Sequence, residues 1–146
     1  MKYLAVDYGN KRTGLAVCDR NEIMASPLCV IHEPTRVVKM IGEVIEEERI
    51  EGVVIGLPLN MDDSEGFQAK RVREFGKLLA AKIKVPIFYH DERLSSFAAS
   101  EKLAAMSLTR ARKKKRLDAM AAAEILEGFL ECKRENKSSR GNDIDE

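Results

Sequence analysis

The segment LAVDYGNKRTGLAV, Leu4 to Val17, sets the character of the chain. Two short apolar runs flank the turn pair Gly9-Asn10, the spacing of an antiparallel hairpin. Asp7 stands where the first run stops, an acid at the end of a strand that otherwise reads Tyr3, Leu4, Ala5, Val6. Nothing in a simple hairpin calls for a carboxylate at that point.

Outward from the hairpin, the pattern alternates. Leu4 to Asp7, Thr13 to Cys18 and Leu28 to Ile31 read as an antiparallel meander, with Asp19 to Glu22 as the second link. Thr35 is a candidate N-cap for a helix to about Arg49, with Val38, Ile41, Val44 and Ile45 at helical spacing. The continuous run Val53 to Gly56 reads as a buried parallel strand. A loop from Leu57 to Gly66 leads to a second helix through Ile83, and Val85 to Tyr89 is a further buried strand. A helix from Ser96 to Met106, a basic loop from Arg110 to Arg116 and a helix from Leu117 to about Lys133 complete the pattern. The polar stretch 135–146 is expected to be a disordered tail, leaving 1–134 as one domain. Strands interleaved with helices in this order predict an α/β domain with a mixed sheet.

Composition narrows the function classes. With 146 residues, 45% of them hydrophobic, the chain can bury the core of one ordinary domain. Its 25 Lys and Arg nearly cancel its 24 Asp and Glu, so any charged partner must be inferred from where charges cluster. Cys18, Cys29 and Cys132 are odd in number and far apart, which argues against both a zinc site and a disulfide framework. No run approaches the length of about 18 apolar residues that a membrane span needs, and the N-terminus enters a strand pattern directly. A soluble cytoplasmic protein without membrane association is the expectation.

Two further acids answer the first. Asp118 shares a helical face with Ala121, Ala122, Ile125 and Phe129, the stripe that would pack on the sheet. An ionised, unpaired carboxylate buried there would cost several kcal/mol, so a cation, a metal ion or a set of N–H donors is called for. The competing explanation is that Asp in a first helical turn is favoured by the helix dipole. In YHDERLSS, Tyr89 to Ser96, a buried strand ends in Asp91 and Glu92. Ligands of α/β sheets gather at the carboxyl ends of parallel strands, and two such ends deliver acids. Converging carboxylates repel unless a cation holds them, and a carboxylate-only set selects a hard ion such as magnesium or manganese.

The remaining signals suit a phosphate-bearing partner. The run RARKKKR contributes Arg110, Arg112, Lys113, Lys114, Lys115 and Arg116 just ahead of a helix N-terminus, where the dipole disfavours positive charge. A solvated loop is the ordinary explanation of an isolated basic run; beside a metal site it becomes a contact for a phosphate backbone. Lys11 and Arg12 in the first turn are placed to do the same. Gly56 and Leu57-Pro58 would leave backbone close to whatever occupies the strand ends. His90 is more simply structural than a proton carrier.

Together VDYGNKRTGLAV from Val6, GLPLNMDDSEG from Gly56, DERLSS from Asp91 and LDAMAAAEIL from Leu117 resemble the YqgF family of nucleases, also called Holliday-junction-resolvase-like. The resemblance covers the chain to about Cys132, with four motifs in family order. It implies the ribonuclease H-like fold, a five-stranded mixed sheet with helices on both faces. It also implies that Asp7, Glu92 and Asp118 are the catalytic, metal-holding carboxylates, with Asp91 the competitor for the middle place. Two ions, Mg2+ or Mn2+, would serve phosphodiester hydrolysis, the carboxylates acting as ligands rather than nucleophiles. The implied substrate is nucleic acid: the 5′ end of precursor small-subunit ribosomal RNA, or branched four-way DNA. The implied assembly is a monomer or a homodimer. Asp63 stands where the family's loop usually has glycine, and Thr13 where it usually has isoleucine.

Two rivals belong to other classes. An ATP-binding domain of the actin and sugar-kinase type also opens on a strand with an acid, but needs two domains around its nucleotide. A non-catalytic nucleic-acid-binding module would have no use for three retained acids, although clustered acids can serve structure alone.

Overall fold

The computed structural model describes residues 1–94 and 119–144. Strands β1 (Tyr3–Tyr8), β2 (Thr13–Cys18) and β3 (Ala25–Ile31) form the antiparallel meander. Helix α1 (Val37–Glu47), strand β4 (Gly52–Leu57), helix α2 (Phe67–Ala80), strand β5 (Ile87–Asp91) and helix α3 (Met120–Ile144) follow. The sheet order is β3-β2-β1-β4-β5, with β4 parallel to both β1 and β5. The five-stranded mixed sheet is thus borne out.

The differences from expectation have local causes. β3 begins at Ala25 rather than Leu28 because Pro27 interrupts the apolar pattern without ending the strand. As an edge strand, β3 leaves Pro27 with no interior ladder bond to donate, and a register shift opposite Leu15/Ala16 accommodates it. α1 starts at Val37 because Pro34 to Arg36 close a 3-10 turn first, and no side chain caps the helix. β5 starts two residues later than expected. Pro86 donates no hydrogen bond, although its carbonyl accepts one from the Val53 N–H at 2.9 Å. α3 does not stop near Lys133 but continues through Ile144 across the stretch expected to be a disordered tail. No proline intervenes there, although Asn136, Ser138, Ser139, Gly141, Asn142 and Asp143 are weak helix formers. The expected helix over 96–106 lies outside the described residues.

Each strand divides its side chains between two cores, as the period of two requires. Leu4, Val6, Leu15, Val53, Ile55 and Leu57 pack under α1 and α2, against Val37, Ile41, Val72, Phe75 and Leu79. Tyr3, Ala5, Ala16, Cys18 and Val54 pack under α3, against Ala122, Ala123, Ile125, Leu126 and Leu130. Helices therefore cover both faces. The α3 side of the sheet is lined by small residues, so the helix approaches closely, while the larger residues fill the other side. Among the described residues no helix is long and apolar enough to cross a membrane.

Leu126→Ala should destabilise the fold by about 2–5 kcal/mol, because it empties a fully buried site between α3 and the sheet. Leu78→Ala on the exposed side of α2 should stay within about 0.5 kcal/mol of the parent. Denaturant unfolding of both variants checks the pair, and equal effects would mean that α3 does not pack as described.

Candidate active site

Alternation along β1 decides where its acid goes. Tyr3 and Ala5 face α3, and Asp7 follows them onto that face; its cross-strand partner on β2 is Gly14, which adds no side chain. On β4, Val54 faces α3 and Gly56 continues that row. On β5, Phe88 lies against Tyr3 and Phe129, His90 lies against Phe129, and Glu92 comes next on the same side. Three neighbouring strands thus converge on one spot at the carboxyl end of the sheet, with an acid from β1 and an acid just beyond β5.

Gly56 is what lets them meet. A Cβ there would lie 2.5 Å from Ile125 Cδ1, 2.9 Å from Glu92 Oε1 and 3.1 Å from Glu92 Cγ. The bare Cα of β4 therefore forms the floor on which the Glu92 side chain lies, with α3 closing over it through Ile125. Glu92 reaches across β4 and hydrogen-bonds Asp7.

The electrostatics follow from that contact. Burial raises the pKa of Asp7, and the hydrogen bond from Glu92 offsets part of the rise. Glu92 is pushed up to about 7 by burial first, then by the Asp7 charge, the shared hydrogen bond and Asp91. Glu92 accordingly holds the proton and donates it to the Asp7 carboxylate. Two oxygen-donor groups that repel when ionised and otherwise share a proton are a setting in which a divalent cation can replace that proton. Among the described residues the acidic cluster is this pair. Asp118, expected as the third acid, lies outside the described residues, and so do Arg110, Arg112, Lys113, Lys114, Lys115 and Arg116.

Asp91 points elsewhere. Arg93 Nε donates to both of its carboxylate oxygens at 3.0 and 3.1 Å, and an Nη of Arg93 donates to Oδ2 at 2.7 Å. The same guanidinium reaches the Asn60 carbonyl at 3.0 Å and Asp63 Oδ1 at 2.7 Å. The hydrogen bonds from Arg93 hold the Asp91 carboxyl below its usual range. The fork ties the loop after β4 to the end of β5, and with Asp91 held by it, Glu92 is the acid that meets Asp7. Asp63, the residue that departs from the family pattern, sits in left-handed backbone at φ 69° and supplies one prong of the tie. An acidic turn paired with Arg93 is the ordinary reading of this stretch in sequence, and Arg93 does pair with Asp91; its reach to Asn60 and Asp63 was not legible there.

Lys11 and Arg12 are exposed on the turn between β1 and β2, a few residues beyond Asp7. Gly9 permits that turn, since a Cβ there would meet the Arg12 carbonyl oxygen at 2.5 Å. His90 is buried edge-on to Phe129 with a ring separation of 6.1 Å, and its Nε2 has no hydrogen-bond partner among the described residues. Burial lowers its pKa, which keeps the ring neutral and fits a packing role.

Comparison with known proteins bears on the family and the fold. Residues 1–132 match the model of the family described as RuvX: Holliday junction resolvase. A protein of Maridesulfovibrio salexigens is 41% identical over 132 residues, 89% of this chain and 98% of that protein. One from Trichormus variabilis is 38% identical over 138 residues, 93% of this chain and 91% of the relative. Both bear the name "Putative pre-16S rRNA nuclease". Among solved structures, Thermus thermophilus RuvC superposes with a TM-score of 0.58 at 16% identity, covering 92% of this chain and 96% of its own. The fowlpox virus Holliday junction resolvase gives 0.56 at 13% identity, covering 90% and 99%. These two likenesses establish the resolvase-type, ribonuclease H-like fold.

The acid pair fixes the sign of a pH dependence. Glu92 titrates near 7 in the folded chain, above its ordinary value of 4.5, so the folded state binds the proton more tightly. Its contribution to stability is complete below the unfolded value and is lost as pH rises through about 7. In chelator, the unfolding free energy should decline between pH 4.5 and about 7, and Glu92→Gln should flatten that decline and be the more stable protein above it. Denaturant titrations across pH test this; a Glu92→Gln protein less stable than the parent at pH 8 would contradict it.

Proposed function

Since the chain belongs to the RuvX Holliday junction resolvase family, we propose that it is a metal-dependent nuclease that hydrolyses phosphodiester bonds in maturing the 5′ end of precursor 16S ribosomal RNA in the cytoplasm. The observation that carries the reading is the Asp7–Glu92 carboxyl pair at the carboxyl end of three adjacent strands. The names of the relatives supply the substrate.

In this reading Asp7 and Glu92, joined by Asp118 from the chain just ahead of α3, hold Mg2+ or Mn2+. Two ions held there would supply activation of a water as nucleophile and stabilisation of the charge on the leaving 3′ oxygen. The chain's own contribution is placement. Gly56 and Ile125 seat the Glu92 side chain, and the Arg93 fork keeps Asp91 out of the cluster. The α3 core screens one side of the pair from water, which strengthens every charge interaction made there. Lys11 and Arg12, with Arg110, Arg112, Lys113, Lys114, Lys115 and Arg116, contact the phosphate backbone and orient it without reading sequence.

A second reading, resolution of four-way DNA junctions, is favoured by the description of the matching family model. The same carboxylates would serve it, so the substrate and not the chemistry separates the two.

Asp7→Asn should abolish metal-dependent cleavage while leaving the fold intact, and in chelator it should be at least as stable as the parent because a repulsion is relieved. The check is a cleavage assay on a precursor ribosomal RNA fragment and a four-way DNA junction with magnesium, manganese or chelator. Cleavage that survives in folded Asp7→Asn protein would remove Asp7 from the reaction.

A further inference from the structure

We propose that Phe67 and Arg71, at the start of α2, form a stacking platform for an unpaired base of the strand on which the Asp7–Glu92 pair acts. The inference rests on the nuclease reading and goes beyond it by naming the state of the substrate near the cut.

Topology puts the platform at the working end of the sheet. α2 follows the carboxyl end of β4 through the loop 58–66, so its N-terminus lies at the end where Asp7 and Glu92 meet. Phe67, Arg71 and Phe75 recur at intervals of four and form one ridge of the helix. Phe75 is buried and stacks on Tyr8, the residue after Asp7, with ring centroids 4.1 Å apart and 5° between planes. One turn outward, Arg71 donates a hydrogen bond to Asn10 Oδ1 in the turn that carries Lys11 and Arg12. One turn further out, the Arg71 guanidinium lies 5.9 Å from the centroid of the Phe67 ring. The ridge thus runs from the α1–α2 face of the sheet, behind Asp7, to an aromatic ring in solvent.

Phe67 is 78% exposed. A single exposed apolar side chain is ordinary on a protein surface, and its setting is what gives this one a meaning. Lys70 and Arg71 flank it at the third and fourth positions along the helix, and Lys11 and Arg12 stand on the adjoining turn. The acids of the neighbouring loop are engaged with partners: Glu65 with Arg73, Asp63 with Arg93 at 2.7 Å, and Asp62 with the Ser64 hydroxyl at 2.5 Å. An aromatic face among cations is the combination that sites for single-stranded nucleic acid use, with the ring stacking on a base and the cations following the backbone. A paired base has its faces covered by its neighbours in the helix, whereas an unpaired one offers a face to the ring. The platform therefore suits a single-stranded precursor end better than the fully paired arms of a four-way junction.

The test is fluorescence anisotropy in chelator, so that nothing is cut, with the parent, Phe67→Ala and Phe67→Tyr. The probes are a single-stranded RNA oligonucleotide, the same strand with its bases removed at successive positions, and a blunt duplex. Phe67→Ala should bind the single strand about 5- to 150-fold more weakly. Phe67→Tyr should restore affinity, and the parent and Phe67→Ala should bind the abasic strand and the duplex alike. Equal binding of the single strand by parent and Phe67→Ala, or an equal loss on the abasic strand, overturns the platform and leaves the nuclease reading standing. A parent protein that binds none of the probes overturns both.

Discussion

Two carboxyl groups that cannot both ionise cheaply in one half-buried place organise the rest of the site. Asp7 and Glu92 are separated by 85 positions in sequence but share one hydrogen bond, and burial with mutual repulsion holds the Glu92 proton to about pH 7. Such a contact is unfavourable for a fold that has no use for it. It persists because the sheet leaves the two side chains no alternative: β1 and the end of β5 flank β4, and β4 presents glycine between them.

The two faces of the sheet divide the work. The α1–α2 side holds the larger aliphatic side chains and supplies the rigid platform. The α3 side is built from small residues, Ala5, Ala16, Ala122 and Ala123, so that α3 lies close to the sheet. Around the rim, three devices aim side chains. The Arg93 fork ties Asp91 to the loop after β4, the Arg71–Asn10 bond joins α2 to the first turn, and Gly9 lets that turn close tightly. None of these rim contacts is expected to contribute much stability, since exposed ion pairs are worth about 0–1 kcal/mol; their effect is on direction.

Much of this was legible in the chain itself because it rests on local pattern. The hairpin around Gly9-Asn10, the apolar run of β4 and the periodicities of α1 and α2 all follow from side-chain alternation or helical spacing. Misplaced boundaries fell at prolines: Pro27 lies inside an edge strand, where it is tolerated, and Pro86 delays β5. Asp91 is the last strand residue and Glu92 the first of a 3-10 turn, and alternation at the strand end sends them to opposite sides. Sequence alone left those two acids interchangeable, and the family resemblance favoured Glu92. The meeting of Glu92 with Asp7 and the Asp63–Arg93 tie depend on contacts more than 25 residues apart, which no local pattern encodes. The continuation of α3 past Lys133 was hidden by a composition rich in Ser, Asn, Asp and Gly, which are weak helix formers and read as disorder.

The central claim is that a divalent cation takes the place of the proton shared by Asp7 and Glu92. Calorimetric titration of the protein with Mn2+ at pH 6, in two buffers of different ionisation enthalpy, counts the protons released on binding. The account predicts release of about one proton at pH 6, release that fades above pH 8, and none from Glu92→Gln protein. Manganese binding that displaces no proton at pH 6, or an unchanged release from Glu92→Gln, would contradict it.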